Sequence, residues 1–336
     1  MAAAAVVVSH NFGVKLGELT ADPIYGLTGF TLGQHAVHVF FVLSGLLVSS
    51  SLARSSDLWD FAVARGLRIF PALLACVVAT TLVLGPVFTS LSSRDYLANP
   101  AVLRHAAQSL TLLLPRAELP GLFADNPVGP EVNLSLWTLK YEVACYTFLG
   151  ILSVTKLLNG RRGAMCLSLV TVAIFVSYAN PEWIKDDTSL DNARRFLLCF
   201  TLGALAFHIR SNLLLLPIVP IPLLAVCWAL QLAATPLIVL LTAYSTLVAA
   251  SFRIPVASRW CDHNDLSYGL YLYGWPVAQA VLAAFPLLYM WHLNALTFGI
   301  ALPIAAMSWV LLERPALALR GRSLTSSSTP TIAAKA

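Results

Sequence analysis

Residues 33–53 read GQHAVHVFFVLSGLLVSSSLA, a run without a single Lys, Arg, Asp or Glu. As an α-helix rising 1.5 Å per residue it reaches about 30 Å, the thickness of a bilayer's hydrocarbon core. Further apolar runs recur at about 1–14, 66–88, 134–155, 164–179, 194–210, 213–232, 235–252, 266–286 and 293–312. They predict an all-α fold, a polytopic integral membrane bundle of about ten transmembrane helices. One domain is expected over 1–322, followed by a polar, disordered cytoplasmic tail, SLTSSSTPTIAAKA, over 323–336.

Composition points the same way. Of the 336 residues, 58% are hydrophobic and 11% charged, the mean hydropathy is +0.77, and a soluble chain this apolar would precipitate. The net charge of +5 would suit nucleic acid, but the Lys and Arg residues sit in short loops and form no patch, so no nucleic-acid partner is expected. Assigning alternate loops to opposite sides leaves thirteen Lys and Arg on one side, among them Arg54, Arg65, Arg68, Arg161 and Arg162, and seven on the other. The richer side reads as cytoplasmic. Both termini then lie inside a bacterial inner membrane, with 89–133 and 180–193 outside. A weaker run, 101–114, carries Arg104, His105 and Gln108 and reads as a helix at the interface. The six cysteines show no CxxC or other metal spacing, so neither a disulfide nor a zinc-thiolate site is expected.

Ionisable groups inside spans are costly and mark function. Glu142, in NLSLWTLKYEVACY, lies about 12 Å past the start of its run, and Lys140, two residues away, points to another face. An ionised carboxylate there needs a partner helix or a water-filled cavity. His10 is the only titratable side chain of AAAAVVVSH; by itself it reads as a packing residue, although imidazole suits proton transfer near neutral pH. His35 and His38 share a helix face, but no HExxH or third ligand accompanies them, so pocket lining is expected and a metal is not. Arg65 and Arg68, at i and i+3, suit either phosphate binding or positive-inside anchoring.

HVFFVLSGLLVSSSL, FAVARGLRIFPAL, NLSLWTLKYEVACY, LSYGLYLYGWPV and SWVLLERPAL follow one another as in the acyltransferase 3 family of membrane O-acyltransferases, and the chain resembles that family from end to end. The resemblance implies transfer of an acyl group, usually acetyl from cytoplasmic acetyl-CoA, to a hydroxyl of a carbohydrate or lipid-linked glycan such as a surface polysaccharide or its precursor. It makes His10 the proton acceptor or acyl carrier, with Glu142 assisting, and gives Arg65 and Arg68 to the acyl-CoA donor. His38, Trp137, Tyr146 and Tyr271 are expected to contact substrate, with membrane lipids around the bundle. His10, Glu142 and His38 are expected toward the outer half and the arginines at the cytoplasmic side, so that donor and acceptor enter from opposite sides.

Three positions depart from the family pattern. Its arginine eleven residues before the histidine falls two positions upstream of Met1, and the first run has only about a dozen residues before Lys15; the natural product is expected to be longer, with the first helix truncated here. Lys140 stands where proline is common, and Gly274 where histidine often precedes Trp-Pro. A transporter or flippase of a glycan or small molecule would also keep few charges at mid-membrane, but no internal repeat supports it. The absence of GxSxG leaves a Ser-His-Asp hydrolase unsupported.

Overall fold

The computed structural model describes residues 1–112, 118–158, 160–179, 188–213, 215–216, 218–220, 235–252 and 264–319. Its longer helices are α1 (Ala2–Leu16), α2 (Leu32–Leu52), α3 (Leu58–Phe88), α4 (Pro100–Thr111), α5 (Leu139–Val154), α6 (Gly160–Ser177), α7 (Thr188–His208), α8 (Thr235–Ser251), α9 (Ser267–Ala284) and α10 (Met290–Leu319). The fold is an all-α bundle, and α2, α3, α6 and α10 are each long and apolar enough to cross a membrane. α4 coincides with the weaker run 101–114, and the other helices coincide in position with the expected apolar runs. The expected span 213–232 falls mostly outside the described residues, as do the tail 323–336 and the acidic 180–187 stretch.

Capping chemistry corrects several boundaries. α3 begins at Leu58, ahead of the apolar run that starts at 66, because the Asp57 carboxylate accepts the Asp60 N–H at 2.8 Å and caps the helix. Thr31 and Gln34 close a capping box at the start of α2, while Asp22 accepts the N–H groups of Ile24 and Leu32, both at 2.9 Å, and ties down the 17–31 connection. The fourth apolar run opens with a 3₁₀ turn, Leu134–Thr138, before α5.

Two glycines set the tightest crossing in the bundle. A Cβ on Gly45 of α2 would strike the Phe200 carbonyl of α7, and one on Gly203 of α7 would strike the Val42 carbonyl of α2. The backbones therefore touch, the small-residue packing used by membrane helices that lack a hydrophobic drive to associate. α9 lies against α1 and α10, and α1 against α2. Leu74, Val78 and Leu82 of α3 and Leu169, Val172 and Val176 of α6 stay exposed, as a lipid-facing belt requires. The 89–133 segment packs its own small core of Tyr96, Val102, Leu119, Leu122, Phe123 and Val132, and Tyr96 donates at 2.9 Å to the Thr81 carbonyl in the π-helical stretch Thr80–Leu84 of α3.

Pro276 interrupts α9 and has no N–H to give the Leu272 carbonyl four residues earlier. That carbonyl is taken instead by Asn133 Nδ2 at 2.9 Å and by the Cys76 thiol at 3.5 Å, so the break pins α3 and the 3₁₀ turn to α9. Asn133→Leu is expected to destabilise the protein by about 1–3 kcal/mol, because the Leu272 carbonyl is left with only the weak Cys76 thiol and the Ser135 N–H loses its acceptor, Asn133 Oδ1. Pro276→Ala in the same chain supplies a helical N–H and should recover part of the loss. Denaturant unfolding in mixed micelles checks this; a double variant no more stable than the single one would remove the carbonyl from the explanation.

Candidate active site

Three polar groups sit along the bundle. The first gathers side chains from α2, α3, α5, α9 and α10. Arg65 Nη2 donates to Ser51 Oγ at 3.1 Å, and its guanidinium lies 5.8 Å from the Tyr146 ring centre. The Tyr146 hydroxyl donates to Glu142 Oε1 one turn earlier on α5. Arg68 is clamped between Asp265 Oδ2 at 2.6 Å and Glu313 Oε2 at 3.6 Å and lies 5.4 Å from the Tyr268 ring centre. The Tyr268 hydroxyl donates to the Ile69 carbonyl at 2.9 Å. Asp265, in the loop before α9, would be pushed up by burial, but Arg68 and the Ser267 hydrogen bonds hold its carboxyl below the usual carboxylate range. It therefore stays ionised wherever Arg68 needs a counter-charge.

Arg65 and Tyr146 also line a groove of about 410 Å³ between α3 and α5, whose other walls include Phe61, Ile69, Val143 and Ile151. Arg68 does not line it. The i, i+3 spacing thus divides the pair: Arg68 is set against two carboxylates, whereas Arg65, hydrogen-bonded to Ser51, stands on the wall of an apolar groove.

The second group is built on His10 of α1. Its ring stands edge-on to Trp275, centroids 5.0 Å apart and planes at 86°. Nδ1 is buried, with no hydrogen-bond partner among the described residues. Trp275 is fixed by its Nε1–H to the Glu131 carbonyl at 2.8 Å. Asn11 Nδ2, beside His10, donates to Asn294 Oδ1 of α10 at 2.9 Å. Ser9 nests against Gly33 of α2, where a Cβ would come within 3.0 Å of the Ser9 hydroxyl oxygen. Gly274 is also explained: a Cβ there would lie 2.6 Å from Val7 Cγ2, so α1 occupies the space that a histidine at 274 would need.

The third group lies where α2 and α7 begin. His35 Nε2 is 2.8 Å from Thr28 Oγ1. His38 is fully buried, touches Phe30 at 5.3 Å and Phe196 at 6.3 Å between ring centres, and has no hydrogen bond at either nitrogen among the described residues. Arg195 of α7 lies on the same two rings, 4.9 Å from Phe30 and 5.1 Å from Phe196, and is 3% exposed. Asn192 accepts its one hydrogen bond among the described residues. In this buried setting each cation–π contact contributes about 2 kcal/mol, against several kcal/mol for taking an ion out of water. Sequence reasoning missed this residue; the signal was an arginine inside the run 194–210.

Other expected site residues connect these groups. The Tyr271 hydroxyl donates to the Ser135 carbonyl at 2.8 Å and so must accept from Thr138 Oγ1 at 2.5 Å, which binds the 3₁₀ turn to α9. Trp137 meets Phe196 at a tilt, centroids 5.5 Å apart, and Tyr141 edge-on at 5.9 Å, and packs against the cores around both Phe196 and Trp275. Lys140 lies over the Tyr141 ring at 4.9 Å, on a different face from Glu142.

One expectation needs correcting. Glu142 does not stand with His10 and His38; its contact is Tyr146, which lies beside Arg65 in the first group. α3 and α5 pair so that Phe61 and Leu58 approach Gly150, which carries Glu142 toward Arg68. No contact among the described residues joins it to His10. On α9, Tyr268 marks the first group and Trp275 the second, seven residues and therefore about 10 Å apart.

Comparison with known proteins fits this architecture. The model of the family described as "Acyltransferase domain" matches residues 1–313. An O-acetyl transferase of Shigella phage Sf6 is 29% identical over 333 residues, covering 94% of this chain and 92% of that protein. Nodulation protein 10 of Rhizobium leguminosarum bv. viciae is 28% identical over 357 residues, covering 95% and 91%. No solved structure matches.

Proposed function

The chain belongs to the acyltransferase domain family, and from that membership we propose that it is an inner-membrane O-acetyltransferase moving acetyl from acetyl-CoA to a carbohydrate hydroxyl. A surface polysaccharide or its lipid-linked precursor is the acceptor class. The observation that carries the reading is the Nδ1 of His10, buried beside a fixed tryptophan and left without a partner. Histidine so held is suited to take a proton from an incoming hydroxyl.

In the reaction the acceptor oxygen bonds to the thioester carbonyl carbon, the carbon–sulfur bond breaks, and the hydroxyl proton passes through His10 to the departing thiolate. Arg65, on the wall of the α3–α5 groove, is the residue for the donor's anionic portion, at the cytoplasmic end with both termini. Arg68 positions: Asp265 and Glu313 tie α3 to α9 and α10. Glu142 acts through Tyr146 and beside Arg65, away from the imidazole. The offset of about 10 Å along α9 means that the acyl group travels some two helical turns from the arginine end to His10. The extended donor arm supplies that reach.

Purified protein supplied with acetyl-CoA should release free CoA at a rate that rises when a polysaccharide acceptor is added, as a thiol reagent reports. A transporter would release none, and absence of CoA release at any acceptor would reject the reading.

A further inference from the structure

The geometry points to an anion subsite at the start of α2 and α7, where Arg195 and His38 hold a carboxylate or phosphate carried by the acceptor. This rests on the acyl-transfer reading and adds the acceptor's charge to it.

Three observations converge. Arg195 is 3% exposed, and its described partners are one neutral amide oxygen and two aromatic faces, which offset only part of the desolvation of a guanidinium. The carboxylate nearby, Asp191, is in contact with Arg194 Nη2 at 2.5 Å and reaches Arg195 only through its charge, without a hydrogen bond to it. His38 meets Phe30 and Phe196, the rings that Arg195 also contacts, and both its ring nitrogens are buried without a partner among the described residues, although a neutral imidazole always carries one N–H to donate. Buried donors are ordinarily satisfied, and a guanidinium and an imidazole N–H set against the same two rings are the donor types that an oxyanion takes.

Placement supports an acceptor ligand. Arg65, the residue read as the donor's handle, is on α3 beside Ser51 at the far end of α2, more than three turns from His38. Trp137 packs against Phe196 on one side and against the core containing Trp275, the partner of His10, on the other. An acceptor bound by its anionic group at Arg195 can therefore extend past Trp137 toward His10. Uronic acids and sugar phosphates carry the required charge next to free hydroxyls.

The test titrates full-length protein in detergent with glucuronate, glucose 1-phosphate and glucose at constant ionic strength, followed by calorimetry. The site predicts saturable binding of at least one of the two anionic sugars, at least tenfold tighter than glucose. Glucuronate alone indicates a carboxylated glycan, and glucose 1-phosphate alone a phosphorylated carrier. Arg195→Gln should weaken the anion at least tenfold, and Arg195→Lys should recover part of it. Equal binding of all three sugars, no binding, or an unchanged Arg195→Gln would overturn the subsite. If Arg195→Gln does not fold, the wild-type selectivity series decides alone. Acetyl-CoA titrated into the same wild-type sample examines the acyl-transfer reading separately: loss of donor binding with anion binding intact would sink that reading and not the subsite.

Discussion

His10→Ala is expected to lower acetyl transfer by about 10²- to 10⁴-fold, the usual worth of a positioned proton acceptor, while acetyl-CoA binding stays within a factor of about 3 of wild type. The separation follows from geometry. His10 meets Trp275, about 10 Å along α9 from Tyr268, so removing the imidazole leaves Arg65, Arg68 and the α3–α5 groove untouched. His10→Gln keeps much of the volume and the polarity, so a merely packing role would be rescued by it and a proton-transfer role would not. Rate and donor affinity measured on both variants decide the matter. If His10→Gln restores wild-type turnover, the histidine is not the proton acceptor.

The second large effect concerns folding. Gly45→Leu or Gly203→Leu is expected to prevent accumulation of folded protein, and Gly45→Ala to destabilise by about 3 kcal/mol or more. Overpacking by a methylene group ordinarily costs 1–3 kcal/mol because side chains can shift. Here the obstructing atoms are the Phe200 and Val42 carbonyls, which are backbone and cannot rotate away. Gly66, a glycine whose added Cβ would come no closer than 4.0 Å to the Phe70 ring, serves as the control, and Gly66→Ala should be tolerated. Expression and denaturant unfolding in micelles compare the three sites. A Gly45→Ala chain as stable as Gly66→Ala would mean that the α2–α7 crossing is looser than described.

Much of this architecture could be read before the structure, because spans longer than a soluble helix needs and free of charge have one physical explanation. The notch at Gly45 within FFVLSG was visible as a small residue, though its partner Gly203 was not, since nothing local in the chain pairs positions so far apart. The same limit misplaced Glu142. Counting residues into its own span put it beside the outer histidines, whereas the pairing of α3 with α5 brought it to Tyr146 and the arginines. Arg65 and Arg68 looked equivalent on one helix face until Asp265 and Glu313, both remote in sequence, took Arg68. Arg195 was hidden differently. It is one of the seven Lys and Arg of the sparser side, and a buried arginine resting on aromatic rings has the same letters as a solvated one.

The most direct test of acyl transfer itself follows the label. Acetyl-CoA carrying a radiolabelled acetyl group is mixed with purified protein and polysaccharide, and the label is partitioned among CoA thioester, free acetate and polysaccharide. The account predicts base-labile ester on the polysaccharide in amounts equal to the CoA released, and ester formed at least about 10²-fold more slowly with His10→Ala. Label that stays in the thioester, or that leaves only as acetate, would contradict it.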